Sequence, residues 1–343
     1  MYTRRVDRWS RRQFLRAAAI AGSSAAFGLQ SNVHGAEAPP ETTRLRLHKT
    51  SSLCNASLYV AEELLRAEGF TEIQYFGNQE TTTGVPGARA MAAGEFDIGQ
   101  NFAAPLVMAL DMGIPIVLLG GIHVGCFELF ASDGIRSVGD LKGKTIAMPG
   151  VGSIPHTFIS SIATSVGIDP RKDIKWIERP YAESKSMFVD GKANAFLAFP
   201  PDGLDLRTRR IGNVILTSVL DRPWSQYFCC VVAANKEFVR KNPVAAKRAL
   251  RALIKANEIC ASDPDLAVRA YMKQGFKPNP DFAHQAIKEL PFGRWRDYNP
   301  EETVRFYALR LREAEMVKNS PQKIIAQGTD WRIWNELKKE LKA

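Results

Sequence analysis

The segment Gly150-Val151-Gly152-Ser153-Ile154-Pro155-His156 falls between an expected strand over 145–148 and an expected helix over 155–166. Glycines there let backbone N–H groups come close to a ligand. Ser153 suits an N-cap or a direct donor, Pro155 suits the first helical turn, and the positive end of a helix favours negative charge. The loop therefore reads as a cradle for an anion or a carbonyl, with a plainly capped helix start as the alternative. It is not a dinucleotide fingerprint, because Pro155 stands where the third glycine would be, and no Gly-Lys-Ser/Thr follows to make it a phosphate loop. His156, one turn beyond Gly152, is a candidate ligand contact or a histidine satisfied by packing beside Phe158 and Ile159. His123, among Gly120, Gly121 and Gly125, is open to the same two readings.

Three other loops carry binding groups. Gln100-Asn101-Phe102, following an expected strand and leading into a helix at Pro105, offers two amides and an aromatic ring, which suits fixing a polar ligand without chemistry. Thr50 to Asn55 stands in the same position relative to the first strand and helix. Phe199-Pro200-Pro201-Asp202 and Arg222-Pro223-Trp224-Ser225-Gln226-Tyr227 add aromatic walls, with Phe199, Trp224 and Tyr227 as candidate contacts. Catalytic arrangements are missing: there is no Gly-x-Ser-x-Gly elbow, no His-Glu-x-x-His and no carboxylate dyad. Cys54, Cys126, Cys229, Cys230 and Cys260 show neither C-x-x-C spacing nor a metal pattern, so no metal and no cofactor are expected. On a strand, Cys229 and Cys230 point to opposite faces, so at most one of them faces Cys126 in a neighbouring strand; which one is open.

The elements that position these loops repeat. Residues 90–99 (AMAAGEFDIG) and 187–196 (MFVDGKANAF) each read as a helix end, a glycine in the left-handed region, a polar residue three positions later, and a short buried strand. Gly94 with Asp97 and Gly191 with Asn194 are the equivalent pairs. Strands over 44–49, 72–76, 145–148 and 174–177 alternate with helices, which implies parallel sheets with crossover helices. Strands over 116–120 and 126–132 complete a first lobe, and 228–234 is apolar and strand-like. From 235 onward the chain is almost wholly helical, punctuated by prolines. The expected division is lobe one over 44–131 and 233–343, and lobe two over 132–232, with a hinge at the two crossings.

At 343 residues, 45% hydrophobic and 24% charged, the chain has room for two α/β domains with real cores. Its first 38 residues are a separate matter. Ser10-Arg11-Arg12-Gln13-Phe14-Leu15-Arg16, a mildly apolar run over 17–29 and Ala36-Glu37-Ala38 form the three regions of an export signal, of the twin-arginine type. The run is too short and too weakly hydrophobic to span a membrane. The first cysteine is Cys54, so a lipid anchor is not expected. The formal net charge is +10; six arginines against Asp7 and Glu37 put +4 in the leader and leave +6 for the rest. The remaining basic residues are interspersed with acids and form no stripe, which argues against nucleic acid as a partner.

Leu58-Tyr59-Val60-Ala61-Glu62-Glu63, residues 91–99, Gly113-Ile114-Pro115, residues 135–147, Gly152-Ser153 with His156, and Gly167-Ile168-Asp169-Pro170 together resemble one family. It is the nitrate/sulfonate/taurine-binding group of periplasmic solute-binding proteins, which also includes thiamine-pyrimidine binders, and the likeness runs from about 45 to 328. The resemblance implies an α/β, type II periplasmic binding protein fold: two lobes joined by two hinge strands, with the C-terminal helices on lobe one. It implies a monomeric, non-enzymatic periplasmic receptor, exported by the twin-arginine translocase, that closes on a small polar or anionic organic solute and presents it to an ABC permease. Carried over by position, the contacts would be Ser51, Ser52, Asn55, Gln100, Asn101, Phe102, Gly152, Ser153, His156 and the loop before the return strand. Sulfonate binders tend to have Gly-Asp-Ala-Pro where this chain has Asn101-Phe102-Ala103-Ala104-Pro105, and Trp-Asp-Pro-Tyr where it has Phe199-Pro200-Pro201-Asp202. A larger, more aromatic or carboxylated solute fits these departures as well as a sulfonate does. The alternatives are a thiamine-pyrimidine synthase-like enzyme on the same scaffold, of whose cysteine-rich segment Cys229-Cys230 is a faint echo, and a ligand sensor for a membrane receptor.

Overall fold

The computed structural model describes residues 37–341, so the leader expected over 1–38 falls almost wholly outside the described residues. Ten strands are found among them: β1 (Arg44–His48), β2 (Glu72–Phe76), β3 (Ile98–Phe102), β4 (Ile116–Val124), β5 (Glu128–Ala131), β6 (Thr145–Met148), β7 (Lys175–Glu178), β8 (Ala195–Ala198), β9 (Asn213–Thr217) and β10 (Phe228–Asn235). They form two five-stranded sheets of one design, ordered β2-β1-β3-β10-β4 and β7-β6-β8-β5-β9. In the first, β1 pairs in parallel with β2 and β3, and β10 runs antiparallel between β3 and β4. In the second, β6 pairs in parallel with β7 and β8, and β5 runs antiparallel between β8 and β9.

The two similar segments occupy the same corner of the two sheets. Gly94 (φ +79°) and Gly191 (φ +72°) take the left-handed conformation that closes each helix. Three residues on, Asp97 N–H donates to the Arg46 carbonyl (2.8 Å) and its carboxylate accepts from Arg46 N–H (2.8 Å). Asn194 does the same to Thr145, donating at 2.7 Å and accepting at 2.9 Å. Each polar residue thus clamps a residue in the first half of the adjacent parallel strand, the third of β1 and the first of β6. Asp97 differs from Asn194 in also pairing with the Arg46 guanidinium, 2.6 Å away.

The chain crosses between sheets earlier than expected. β5, assigned by sequence to the end of lobe one, pairs with β8 and β9 in the second sheet, so the crossing is at 125–127 and not near Ala131. The return lies before Phe228 and not near Ala233, because β10 pairs along its length with β3 and β4. A short apolar strand declares its burial but not its partner sheet. β9, an edge strand only partly buried, has no clear apolar alternation and is the strand that the sequence reading lacks. β10 is buried from Phe228 to Ala234, as a central strand covered on both faces must be.

The prolines of the C-terminal third start helices rather than merely interrupting them. Pro243, Pro264, Pro280, Pro300 and Pro321 lie in the first turn of helices Pro243–Ser262, Pro264–Lys273, Pro280–Glu289, Pro300–Glu313 and Pro321–Gly328. Asp263, Asn279, Asn299 and Ser320 cap four of them, each side chain accepting from a first-turn N–H. Helices Pro243–Ser262, Pro300–Glu313 and Pro321–Gly328 contact the first sheet, as does helix Arg332–Glu340, whose Trp334 lies edge-on to Phe228 of β10 (ring centroids 6.0 Å apart). Helix Pro300–Glu313 also reaches helix Ile154–Ser165 of the second half. No helix among the described residues is long and apolar enough to cross a membrane.

Candidate functional site

The loops that follow the parallel strands of the two sheets meet along a seam. Leu53 N–H donates to the Pro200 carbonyl (3.1 Å), and Val85 N–H donates to the Gly152 carbonyl (3.1 Å), so backbone hydrogen bonds tie one half to the other. Gly84 (φ +67°) and Gly152 (φ +82°) make that approach possible: a Cβ on Gly84 would lie 2.8 Å from the Gly152 oxygen, and one on Gly152 would lie 3.0 Å from Val85. Salt bridges Arg207–Glu289 (2.7 Å) and Arg171–Glu315 (2.5 Å) span the same seam at its rim.

Two adjoining cavities lie along it. The inner and smaller one is lined by Ser52, Cys54, Asn55, Asn101, Phe102 and Cys230 from the first half and by Phe127, Ile154 and Phe199 on the other side. The outer one sets Gln79, Glu80, Thr83 and Pro86 against the 149–155 loop, Tyr181 and Phe199. Gln79, Thr83, Ile154 and Phe199 border both. A larger and more open hollow flanks the Arg207–Glu289 pair and is mostly apolar. It shares only Phe199 with the residues expected to bind a ligand, so the inner pair of cavities is the better candidate.

Of the residues singled out by sequence, Ser52, Asn55, Asn101, Phe102, Ser153 and Phe199 line these cavities. Asn101 is held in place by its own bonds: its oxygen accepts from Gly84 N–H (3.3 Å) and Phe102 N–H (2.9 Å), and its nitrogen donates to the Thr82 carbonyl (3.3 Å). Ser153 caps helix Ile154–Ser165, accepting from His156 N–H (3.4 Å). Phe199 stacks on Tyr181 (4.4 Å between centroids, planes 4° apart), making a flat aromatic wall. Asn55 is buried, and its Oδ1 has no hydrogen-bond partner.

The other expected contacts lie off the cavities. Ser51 is exposed, and its carbonyl accepts from the Tyr271 hydroxyl (2.6 Å). Gln100 sits behind the wall with its oxygen accepting from Ser57 (3.0 Å) and its Nε2 buried without a partner. Gly152 serves the seam, and His156 packs edge-on to Trp176 (5.2 Å) while its Nδ1 accepts from Gly152 N–H (3.3 Å). Trp224 and Tyr227 face helix Pro300–Glu313: Trp224 is edge-on to Phe306 (5.2 Å), and Tyr227 stacks on the same ring (4.0 Å). Both rings are engaged in packing on that helix. Gln79, Thr83 and Tyr181 were missed, because nothing in their local sequence distinguishes them from helix and loop residues elsewhere.

Neither cavity is lined by lysine or arginine, and Glu80 is the one carboxylate. Two histidines near the site, one buried and one half-buried, are neutral. His48 places Nδ1 3.3 Å from the Thr82 carbonyl and accepts at Nε2 from Gln100 N–H (3.3 Å); burial pushes its pKa down to about 4. Burial also pushes His156 down to about 4. The polar side of the site is therefore made of amides, hydroxyls and backbone dipoles.

A second cluster adjoins the inner cavity. Cys54, Cys126, Cys229 and Cys230 converge around His123, all buried. Cys126 Sγ lies 2.8 Å from Cys229 Sγ, and all of these cysteines are free thiols. Their positions, far apart in sequence, gave no spacing that a metal or redox motif would show.

Two α/β sheets of one strand order, joined by two crossings and meeting at a small cavity, define a protein of the type II periplasmic binding fold. The chain belongs to the NMT1/THI5 like family, whose model matches residues 79–267. No curated protein sequence matches it significantly. Among solved structures it is similar to the alkanesulfonate-binding protein SsuA from Xanthomonas axonopodis pv. citri bound to MOPS (17% identity over 81% of this chain and 96% of that one, TM-score 0.65). It is also similar to the periplasmic nitrate-binding protein NrtA from Synechocystis PCC 6803 (16% identity, 89% and 90% covered, TM-score 0.73). A conserved Candida albicans gene product with the generic periplasmic binding protein fold matches as well (14% identity, 84% and 96% covered, TM-score 0.68).

Proposed function

We propose that this chain is the periplasmic solute-binding component of an ABC importer, exported by the twin-arginine pathway, that captures a small, planar, polar organic solute. The observation that carries this reading is the composition of the seam: amides and hydroxyls on one side, a stacked Phe199–Tyr181 wall on the other, and backbone hydrogen bonds from half to half that complete the enclosure. The named binding functions of SsuA and NrtA support a receptor role. The absence of a lining cation favours a neutral or weakly acidic heterocycle, of pyrimidine or aromatic-amide character, over a nitrate or alkanesulfonate anion, whose burial calls for dense compensation. One flat face would stack on Phe199 while a hydrogen-bonding edge meets Asn55 and Asn101.

Binding shifts an open form to the closed form by the solute's greater affinity for the latter. Denaturing release and mass spectrometry of co-purified small molecules, followed by calorimetry with pyrimidines, aromatic carboxylates, taurine, alkanesulfonates and nitrate, tests the reading. Binding of a heterocycle with a decrease in radius of gyration supports it. Exclusive binding of nitrate or a sulfonate overturns the solute class, and turnover of a bound compound overturns the receptor role.

A further inference from the structure

Four of the five cysteines and one histidine meet in a single buried cluster that solute capture does not require. His123 and Cys230 are register partners on the adjacent strands β4 and β10, and Cys54 arrives from the short turn Leu53–Asn55. Two triads fall within ligand range, each with ligand atoms no more than 4.8 Å apart: Cys54, His123 and Cys230, and His123, Cys126 and Cys229. We propose that Cys54, His123 and Cys230 bind one zinc-class metal ion, leaving a fourth coordination position open towards the inner cavity.

The orientation of His123 is the strongest support. Its Nδ1 lies 3.1 Å from the Gly125 carbonyl and 3.4 Å from the Val124 carbonyl. Both partners can only accept, so Nδ1 carries a hydrogen and Nε2 is the ring atom left for a ligand. Nε2 is buried and has no hydrogen-bond partner, a situation that is unfavourable unless something occupies the position. An imidazole whose other nitrogen donates to a backbone carbonyl is the arrangement that orients metal-bound histidines.

With one lone pair available, His123 can serve one ion. Cys126 and Cys229 contact each other at 2.8 Å, which leaves Cys54 and Cys230 as the thiols of the other triad. Cys54 and Cys230 also line the inner cavity. Two thiolates and one imidazole are a donor set that suits zinc, with Zn–S of about 2.3 Å and Zn–N of about 2.0 Å. A tetrahedral ion of that size spaces its ligand atoms roughly 3.5–3.8 Å apart, so the triad closes on it with side-chain shifts on the order of 1 Å. Both thiols give up their protons to solvent on binding, and no electrons are exchanged.

Cobalt(II) titration of the reduced full chain tests the site with a spectroscopic readout. One equivalent should produce thiolate-to-metal charge transfer in the near ultraviolet and the intense visible bands of a tetrahedral site, both abolished by zinc. Cys54→Ser and Cys230→Ser should each weaken the affinity by more than the roughly 10–100-fold that loss of an outer-shell partner costs, while Cys260→Ala leaves it unchanged. X-ray absorption of the zinc-loaded unmodified chain should show two sulfur neighbours and one imidazole, a measurement that needs no variant to fold. Absence of charge transfer, retention of it in Cys230→Ser, or a sulfur-free zinc shell overturns the site. A solute that binds equally well with and without zinc leaves the receptor reading standing, so the two proposals fail separately.

Discussion

At the scale of single residues, the site is distinguished by polar atoms that the fold leaves unanswered. Asn55 Oδ1 is buried beside the inner cavity without a donor, and a solute hydrogen bond would answer it. Asn55→Ala should weaken binding of the co-purified solute by about tenfold or more, the worth of a buried hydrogen bond, read by calorimetry, with little change in melting temperature. His48 gives a prediction of the opposite kind. Its pKa is held at about 4 in the folded chain against an ordinary 6.5, so below pH 6.5 the unfolded chain takes a proton that the folded chain refuses. Stability should therefore be fully present above pH 6.5 and fall by up to about 1.4 kcal/mol per pH unit from this residue down to about pH 4. Denaturant titrations at pH 7, 6 and 5 should show a shallower decline in His48→Asn, even if that variant starts less stable.

At the scale of elements, the seam depends on two glycines whose backbones nearly touch. Gly84→Ala places a methyl group 2.8 Å from the Gly152 carbonyl at a φ of +67°, so it should both strain its own helix start and hold the halves apart. Small-angle scattering with saturating solute should show a larger radius of gyration than for the unmodified chain, and affinity should fall; an unchanged closed form would mean that the contact is incidental. The elements themselves were largely legible in sequence. Gly94 with Asp97 and Gly191 with Asn194 announced the repeated corner, because a left-handed glycine followed by a polar clamp is a local pattern. β5 was legible as a strand but not as a member of the second sheet, since pairing partners are a long-range property. Phe199 could be placed at the cavity from its loop, whereas Trp224 and Tyr227, equally aromatic, were claimed by Phe306 on a helix some 80 residues downstream. The cysteine cluster was illegible for the same reason: its members come from three separate segments.

At the scale of the whole molecule, closure is supported at the rim by charges. Arg207–Glu289 and Arg171–Glu315 join the halves but are well exposed, so each contributes only about 0.2–1 kcal/mol and is screened by salt. Glu289→Gln combined with Glu315→Gln should shift the unliganded ensemble towards the open form, seen as a rise in radius of gyration at low salt that disappears at high salt. Solute-saturated protein should close regardless, because the seam and the solute supply most of the closed-state preference. The fold class and family were readable from motifs spread along the chain; the chemistry of the solute was not, because it depends on which side chains survive packing to face the cavity.

Val124, the last residue of β4, is a register partner of Phe228, the first of β10. The polypeptide therefore leaves the first sheet and rejoins it at neighbouring points, and everything from 125 to 227 hangs from that double stem as one contiguous insert. A chain in which a short turn joins Val124 directly to Phe228 would retain all the strands of the first sheet and the C-terminal helices that cover it. Such a deletion should fold as a separate domain, recognisable by circular dichroism and a single cooperative melt. It would show that the first sheet with its helices is architecturally a host domain carrying the second sheet on a two-stranded stalk.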